Sequence, residues 1–434
     1  MGILSGLQPQ NVFRFFEELC AIPHGSHNTK AISDYLVSFA EARHLKYRQD
    51  ELNNVIVWKA PTAGYENAPV VMIQGHMDMV AEKDADCPKD MEKEGLDLFV
   101  EGDMVGARGL DASDLTAKYL LNIDSEEEKV LTVSCAGSTR AVCTLPVSRA
   151  AFDGTVCELT VDGLMGGHSG EEIHKGRANA NILMGRALTA LSNVTETRLV
   201  TVTGGAKDNA IPRDARALVA VKDLGAAQAA AKALGDALSN EYRTADPDIR
   251  VSLKPTDSEL VALDADSTRR VAAFLFCAPN GIQMMSAEVP GLVQTSLNLG
   301  RVYTEGDSVV GWFMIRSSVN SQAAETTEKV IALTKLLGGT VDIPAAYSAW
   351  QYRPESHLRD VMVEAFRAVY GEEPKIAALH AGLECGILSG KMPELDCISF
   401  GPDLMNIHTP RERLHIASTE RTWALMLETL KRLK

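Results

Sequence analysis

No run of this 434-residue chain is apolar for long enough to span a bilayer. Its opening residues, M-G-I-L-S-G-L-Q-P-Q, have neither the basic region nor the long apolar core of a secretory leader, so no leader and no membrane partner are expected. A myristoylated start is excluded too, because the acceptor pattern wants Ser or Thr where Gly6 stands. Positive charge is scarce. The chain has 43 Lys and Arg against 58 Asp and Glu, a formal charge of -15 with no basic cluster to offset it, which argues against a nucleic-acid partner. The eight cysteines form no Cys-x-x-Cys pair and sit mostly in apolar runs, the usage of reduced core thiols in a cytoplasmic protein. Cys385, between Glu384 and Gly386, is the exception worth following. There is no repeat of solenoid period and no low-complexity segment.

What the chain does contain is enough for two domains. Helical spacing marks residues 9–21 and 29–41, and short strands are expected at 47–50 and 54–59. His24 and His27 share the loop after the first helix. With no carboxylate at a fixed offset, they read as exposed loop histidines. The stretch Pro69–Val80, P-V-V-M-I-Q-G-H-M-D-M-V, reads as a buried strand delivering His76 and Asp78 to its end. An imidazole and a carboxylate two residues apart on a strand face the same way. They suit a divalent metal, with Asp78 as a second ligand or as the group that orients His76. A solvated strand end is the plain alternative.

Residues 118–124, K-Y-L-L-N-I-D, read as a second buried strand that ends in Asp124. Two such strands imply a parallel α/β sheet, and parallel neighbours need a crossover, usually a helix. None is visible between them. The intervening stretch is charged and poorly periodic, with at most a hairpin at Leu98–Val100 and Met104–Val105. Further on, an alternating pattern at 155–161, a Gly-rich loop around His168 (Gly163–Gly170), helices near 180–191 and 226–240 and strands near 199–203 and 215–221 suggest an inserted α+β domain over 140–349. Residues 1–139 and 350–434 then form the first domain. The segment 341–350 is read as the return crossing, 355–370 and 420–433 as helices, and 397–400 as a strand.

Joined to G-G-H-S-G (166–170), K-G-R-A-N-A-N (175–181), D-N-A-I-P-R (208–213), I-R-S-S (315–318), H-A-G-L-E-C-G (380–386) and the His408 stretch F-G-P-D-L-M-N-I-H-T-P-R-E-R, these features resemble the aminoacyl-histidine dipeptidases. Those are co-catalytic zinc exopeptidases related to carnosinases and glutamate-releasing carboxypeptidases. The resemblance runs nearly end to end. It implies a mostly parallel α/β catalytic domain with an inserted α+β lid, hydrolysis of Xaa-His dipeptides by a metal-activated water, and a homodimer. By the same resemblance His76 and Asp124 would bind one zinc and His408 the other, while Asp78 orients His76. His168 would hydrogen-bond the developing oxyanion, in the same chain or across a dimer. Asn209, Arg316 and Gly382 would hold the substrate, Arg316 by a bidentate fork on its carboxylate. Each has a plain alternative: a glycine-turn cap for His168, an ordinary turn for Asn209, a surface ion pair for Arg316.

The chain also departs from that family. Between the His-x-Asp strand and the Asp124 strand, family members carry a helix introduced by an Ala-Asp-Asn-Gly-like turn and a strand ending in Glu-Glu. That block supplies the Asp bridging both zincs, the general base and a ligand of the second zinc. Here Gly102–Val105 runs straight into Gly106–Ser113, which resembles sequence beyond the block. Asp111, Asp114 and Glu126–Glu128 match other positions. The expectation is one zinc or none held tightly, activity weakened or lost, and apolar strand edges left unpaired. Glu101, Asp103 and Glu384 are the candidate replacements. A peptide binder without catalysis and a related amide hydrolase or deacylase are the alternative functions.

Overall fold

The structure, a computed structural model, describes residues 2–81, 83, 87–96, 104–105, 117–257, 261–407 and 409–434. It divides into two compact units, one of residues 1–134, 352–378 and 383–434, the other of 135–351 and 379–382.

The first unit is built on a five-stranded sheet in the order Lys375–Leu379, Val130–Cys135, Asp396–Ser399, Tyr119–Asn122, Val71–Gln74. Asp396–Ser399 and Val71–Gln74 both run parallel to Tyr119–Asn122. In that register Gln74, Asn122 and Ser399 are level with one another. Their side chains form a buried chain of bonds, Asn122 Nδ2 donating to Gln74 Oε1 at 2.6 Å and Ser399 Oγ donating to Asn122 Oδ1 at 2.5 Å. This ties the carboxyl ends of three strands together, directly before the loops that carry His76 and Asp124. Helices His357–Tyr370 and Ile416–Arg432 bury Leu358, Met362, Phe366 and Leu425 with Leu121, Leu131 and Ile398 of the sheet. The first of them is delimited as its sequence implies: the Ser356 side chain accepts from the Arg359 N–H, and Gly371 closes it at φ 72°.

Three local expectations are corrected. The strand in 69–80 stops at Gln74, so His76 and Asp78 lie in the loop beyond it rather than on the strand. Nor is it fully buried: Ile73 is 49% exposed, because Val71–Gln74 stands last in the order of described strands. Met104–Val105 pairs with Arg413–His415 instead of closing a local hairpin; Leu98–Val100 lies outside the described residues. The 341–350 segment is no return crossing either, since Thr340–Tyr347 is a strand paired antiparallel with Gly137–Pro146 in the second unit's sheet.

That second sheet orders Arg250–Pro255, Thr155–Asp162, Ala215–Val221, Thr197–Gly204, Val293–Glu305, Ser308–Ser317, Gly137–Pro146 and Thr340–Tyr347, with Gly281–Met285 also on Val293–Glu305. Period-two burial, as at Cys157, Leu159 and Val161, turns one face toward helices Ala180–Ser192, Leu224–Glu241 and Ala265–Cys277. Arg316 lies near the end of Ser308–Ser317, opposite Ser296 on one neighbour and Ser138 on the other.

Candidate active site

In the first unit, His76 Nδ1 lies 3.2 Å from Asp78 Oδ1, and His76 Nε2 lies 3.6 Å from Asp124 Oδ1. Asp78 is itself held by Ser26, whose hydroxyl donates to Oδ2 at 2.7 Å. Burial works to raise the Asp78 carboxyl, but the bonds from Ser26 and His76 outweigh it and hold the group below the usual carboxylate range. With the Nδ1 proton directed at the charged Asp78, a neutral His76 ring would present its Nε2 lone pair on the other side. That lone pair faces the Asp124 carboxylate. Glu384, first residue of helix Glu384–Lys391, brings a third acceptor: one ligand atom from each of His76, Asp124 and Glu384 lies within 4.8 Å of the others. An imidazole nitrogen and two carboxylate oxygens so close together are a donor set that suits a divalent cation.

The second unit shows the opposite arrangement. His168, on the two-residue strand Gly167–His168, accepts the Glu171 N–H at Nδ1, 3.1 Å away. A neutral imidazole accepts at one nitrogen only, so Nε2 carries its proton. Yet Nε2 lies 3.4 Å from Arg316 Nη2, a group with donors alone. Two donors therefore point at one place, and an oxygen with lone pairs is what would satisfy both. Burial, with the Arg316 charge second, holds the His168 ring below its ordinary pKa.

Arg316 is 6% exposed, and among the described residues no carboxylate forms an ion pair with it. Its Nε is buried without a hydrogen-bond partner, and burial pulls its pKa down while the neighbouring Tyr347 phenol bonds it and pushes the other way. The surface ion pair offered as the plain alternative for Arg316 is thus not what the structure contains. Behind it lies His380, buried, its Nε2 2.7 Å from the Ser296 hydroxyl. Burial first, and then the charge of Arg316, lower its pKa to about 3, so the ring is neutral at ordinary pH. Gly170 and Gly382 let these groups approach. A Cβ on Gly170 would fall 2.5 Å from the His380 carbonyl, and one on Gly382 only 2.2 Å from the Tyr347 hydroxyl.

Asn209 stands beside His168, because Ala210–Ile211 pairs with Gly167–His168 and the Asn209 carbonyl accepts the Ser169 N–H at 2.9 Å. Of the residues the resemblance singled out, His76, Asp78 and Asp124 lie together in one unit, and His168, Asn209, Arg316 and Gly382 in the other. His408, Glu101, Asp103, Asp111 and Asp114 lie outside the described residues. Glu128 is engaged elsewhere, in a two-pronged pair with Arg421 at 2.6 and 2.8 Å. Tyr347, Ser296 and His380 were not singled out from sequence. His380 stood in the quoted H-A-G-L-E-C-G, while Tyr347 and Ser296 carry no local signal, being ordinary strand residues.

Residues 159–246 match a family model described as a peptidase dimerisation domain. Over 480 aligned positions the chain is 31% identical to the cytosol non-specific dipeptidase of Escherichia coli K12, covering 99% of each chain. The chain belongs to the aminoacylhistidine dipeptidase family. It is thereby a peptidase, a hydrolase of peptide bonds. The crystal structure of an aminoacylhistidine dipeptidase from Vibrio alginolyticus matches it with a TM-score of 0.89 at 30% identity, covering 99% of this chain and 98% of that one. An aminopeptidase from Bacillus cereus, at 12% identity and a TM-score of 0.52 over 98% of this chain and 99% of the other, shares the peptidase fold. This dipeptidase homologue thus has the family's two-part architecture, a mixed α/β sheet unit and an antiparallel lid. No described helix is long and apolar enough to cross a membrane.

Proposed function

We propose that this dipeptidase homologue binds dipeptides, Xaa-His among them, and hydrolyses them slowly through a zinc-bound water. The observation that carries the reading is the pair of facing acceptors, His76 Nε2 and Asp124 Oδ1 at 3.6 Å, with Asp78 behind the imidazole. Carboxylate and imidazole are suitable zinc donors, and zinc bonds of about 2.0–2.2 Å put neighbouring ligand atoms roughly 3.4 Å apart, close to the spacing found. When bound, zinc would polarise the scissile carbonyl and lower the pKa of a bound water. The protein's own groups do the rest. Asp78 would keep the His76 proton on Nδ1 in the first unit; by the family resemblance, Arg316 of the second unit would take the peptide carboxylate and His168 the developing oxyanion, in the same chain or across a dimer.

Slow turnover follows from the absent block. In support, Val71–Gln74 and Tyr119–Asn122 are adjacent parallel strands of one sheet. An alignment of 480 positions is also longer than the 434 residues of this chain, so part of the relative faces gaps. Loss of a positioned general base lowers rate by about a hundredfold or more. A cytoplasmic homodimer, joined through the segment matching the dimerisation model, completes the reading.

The test pairs a dipeptide assay with calorimetry, both with and without zinc. Expected are dipeptide binding, hydrolysis that needs zinc, and a rate far below that of a full-length relative. Binding with no turnover in any metal would favour a pure peptide binder. Rapid turnover with two zincs per chain would refute the assignment of a damaged site, and no binding of peptide or metal would refute the whole reading.

A further inference from the structure

We infer that the chain holds a single divalent ion by recruiting Glu384 as its third protein ligand, making a one-metal His-Asp-Glu centre. This rests on the hydrolytic reading above and deepens it. By the family resemblance, Glu384 is not one of the metal ligands; those are the two residues kept here as His76 and Asp124, the missing bridging Asp and ligand Glu, and His408. With His76 and Asp124 alone a zinc ion would have two protein ligands, fewer than the three that ordinary catalytic sites supply. Glu384 removes that deficit. Its ligand atom and those of His76 and Asp124 all lie within 4.8 Å of one another, and all three side chains are only partly buried, so an ion can reach them.

The group is built as well as close. Asp124 follows a strand end tied to its neighbours through Gln74, Asn122 and Ser399. Its partner His76 is braced by Asp78, and Asp78 by Ser26. Glu384 starts a helix, so its backbone is set by the turn it opens. Three oxygen and nitrogen donors leave a fourth position for water, the coordination of a catalytic rather than a structural zinc. Among the described residues there is no second group of this kind. We assign one ion to this group, with Glu384 as a ligand rather than as the missing base.

Metal content of the full chain, titrated with Zn²⁺ and with Co²⁺ as a coloured probe, tests this without reference to activity. One ion per chain is expected, with a cobalt spectrum of low coordination number. Glu384→Gln should weaken zinc binding by about tenfold or more, and His76→Ala should abolish it. Glu384→His, which returns a ligand as nitrogen, should recover binding and shift the cobalt absorption, an outcome that damage to the fold would not give. Zinc should also raise the melting temperature of the native chain more than that of Glu384→Gln. Two ions per chain, or unchanged affinity in Glu384→Gln while His76→Ala loses it, overturns the role of Glu384 and leaves the hydrolytic reading standing. If the native chain takes up no ion at all, the hydrolytic reading fails with it.

Discussion

Arg316 and His380 show how a buried charge and a buried neutral ring are held side by side. The guanidinium has lost most of its water without gaining a carboxylate among the described residues, so an arriving carboxylate meets a cation already desolvated and oriented. Charge-assisted hydrogen bonds are worth about 1.5–3 kcal/mol. Arg316→Met should accordingly weaken dipeptide binding by roughly tenfold to a hundredfold, and should do little to a dipeptide amide; calorimetry with both ligands checks it. Gly382→Ala should act on the same contact more gently, since the new methyl group displaces the Tyr347 hydroxyl that bonds Arg316. Its signature is weaker peptide binding with zinc affinity unchanged. His380 makes stability depend on pH. Its folded pKa of about 3 lies below the ordinary 6.5, so between those values the unfolded chain binds a proton that the native ring refuses, and stability falls as pH falls through that window. The slope approaches about 1.4 kcal/mol per pH unit from this residue. Urea midpoints measured from pH 7 to pH 4 should decline less steeply in His380→Gln than in the native chain.

At the scale of elements, the strands of the first unit differ in what they can lose. Tyr119–Asn122 has neighbours on both sides and every residue buried, whereas Val71–Gln74 ends the described order and leaves Val70 and Ile73 exposed by 62% and 49%. Leu121→Ala should cost about 2–5 kcal/mol, because its cavity lies between the sheet and the helix His357–Tyr370. Ile73→Thr should change stability by less than about 0.5 kcal/mol and improve solubility, since an apolar edge strand is an invitation to pair with another chain. Denaturation midpoints and light scattering of the two variants decide between these roles. Periodicity marked the strands Tyr119–Asn122 and Asp396–Ser399 and the helices His357–Tyr370 and Ile416–Arg432, but passed over the strands Val130–Cys135, Gly137–Pro146 and Lys375–Leu379. The exact extent of the Val71–Gln74 strand was not readable, because the apolar run P-V-V-M-I carries no mark of where pairing stops; the end is set by the level pairing of Gln74 with Asn122. Thr340–Tyr347 was misplaced for a related reason. A strand's own residues do not name its partner, and Gly137–Pro146 is distant in the chain.

For the molecule as a whole, the match of residues 159–246 to a dimerisation domain leads to a sedimentation experiment, in which twice the monomer mass is expected at micromolar concentration. Membership of the aminoacylhistidine dipeptidase family was legible in the sequence because it rests on residue types in a fixed order, which survive without any knowledge of distance. So were the free cysteines and the residue types of the two candidate sets. Tertiary structure decided how those residues face one another. It set His76 Nε2 against Asp124 with Glu384 as a third acceptor, and it set the His168 Nε2 proton against Arg316 with no acceptor between them. Whether two polar atoms attract or repel depends on separations of a few ångströms and on which nitrogen holds the proton. Positions far apart in the chain carry no record of either until the backbone brings them together.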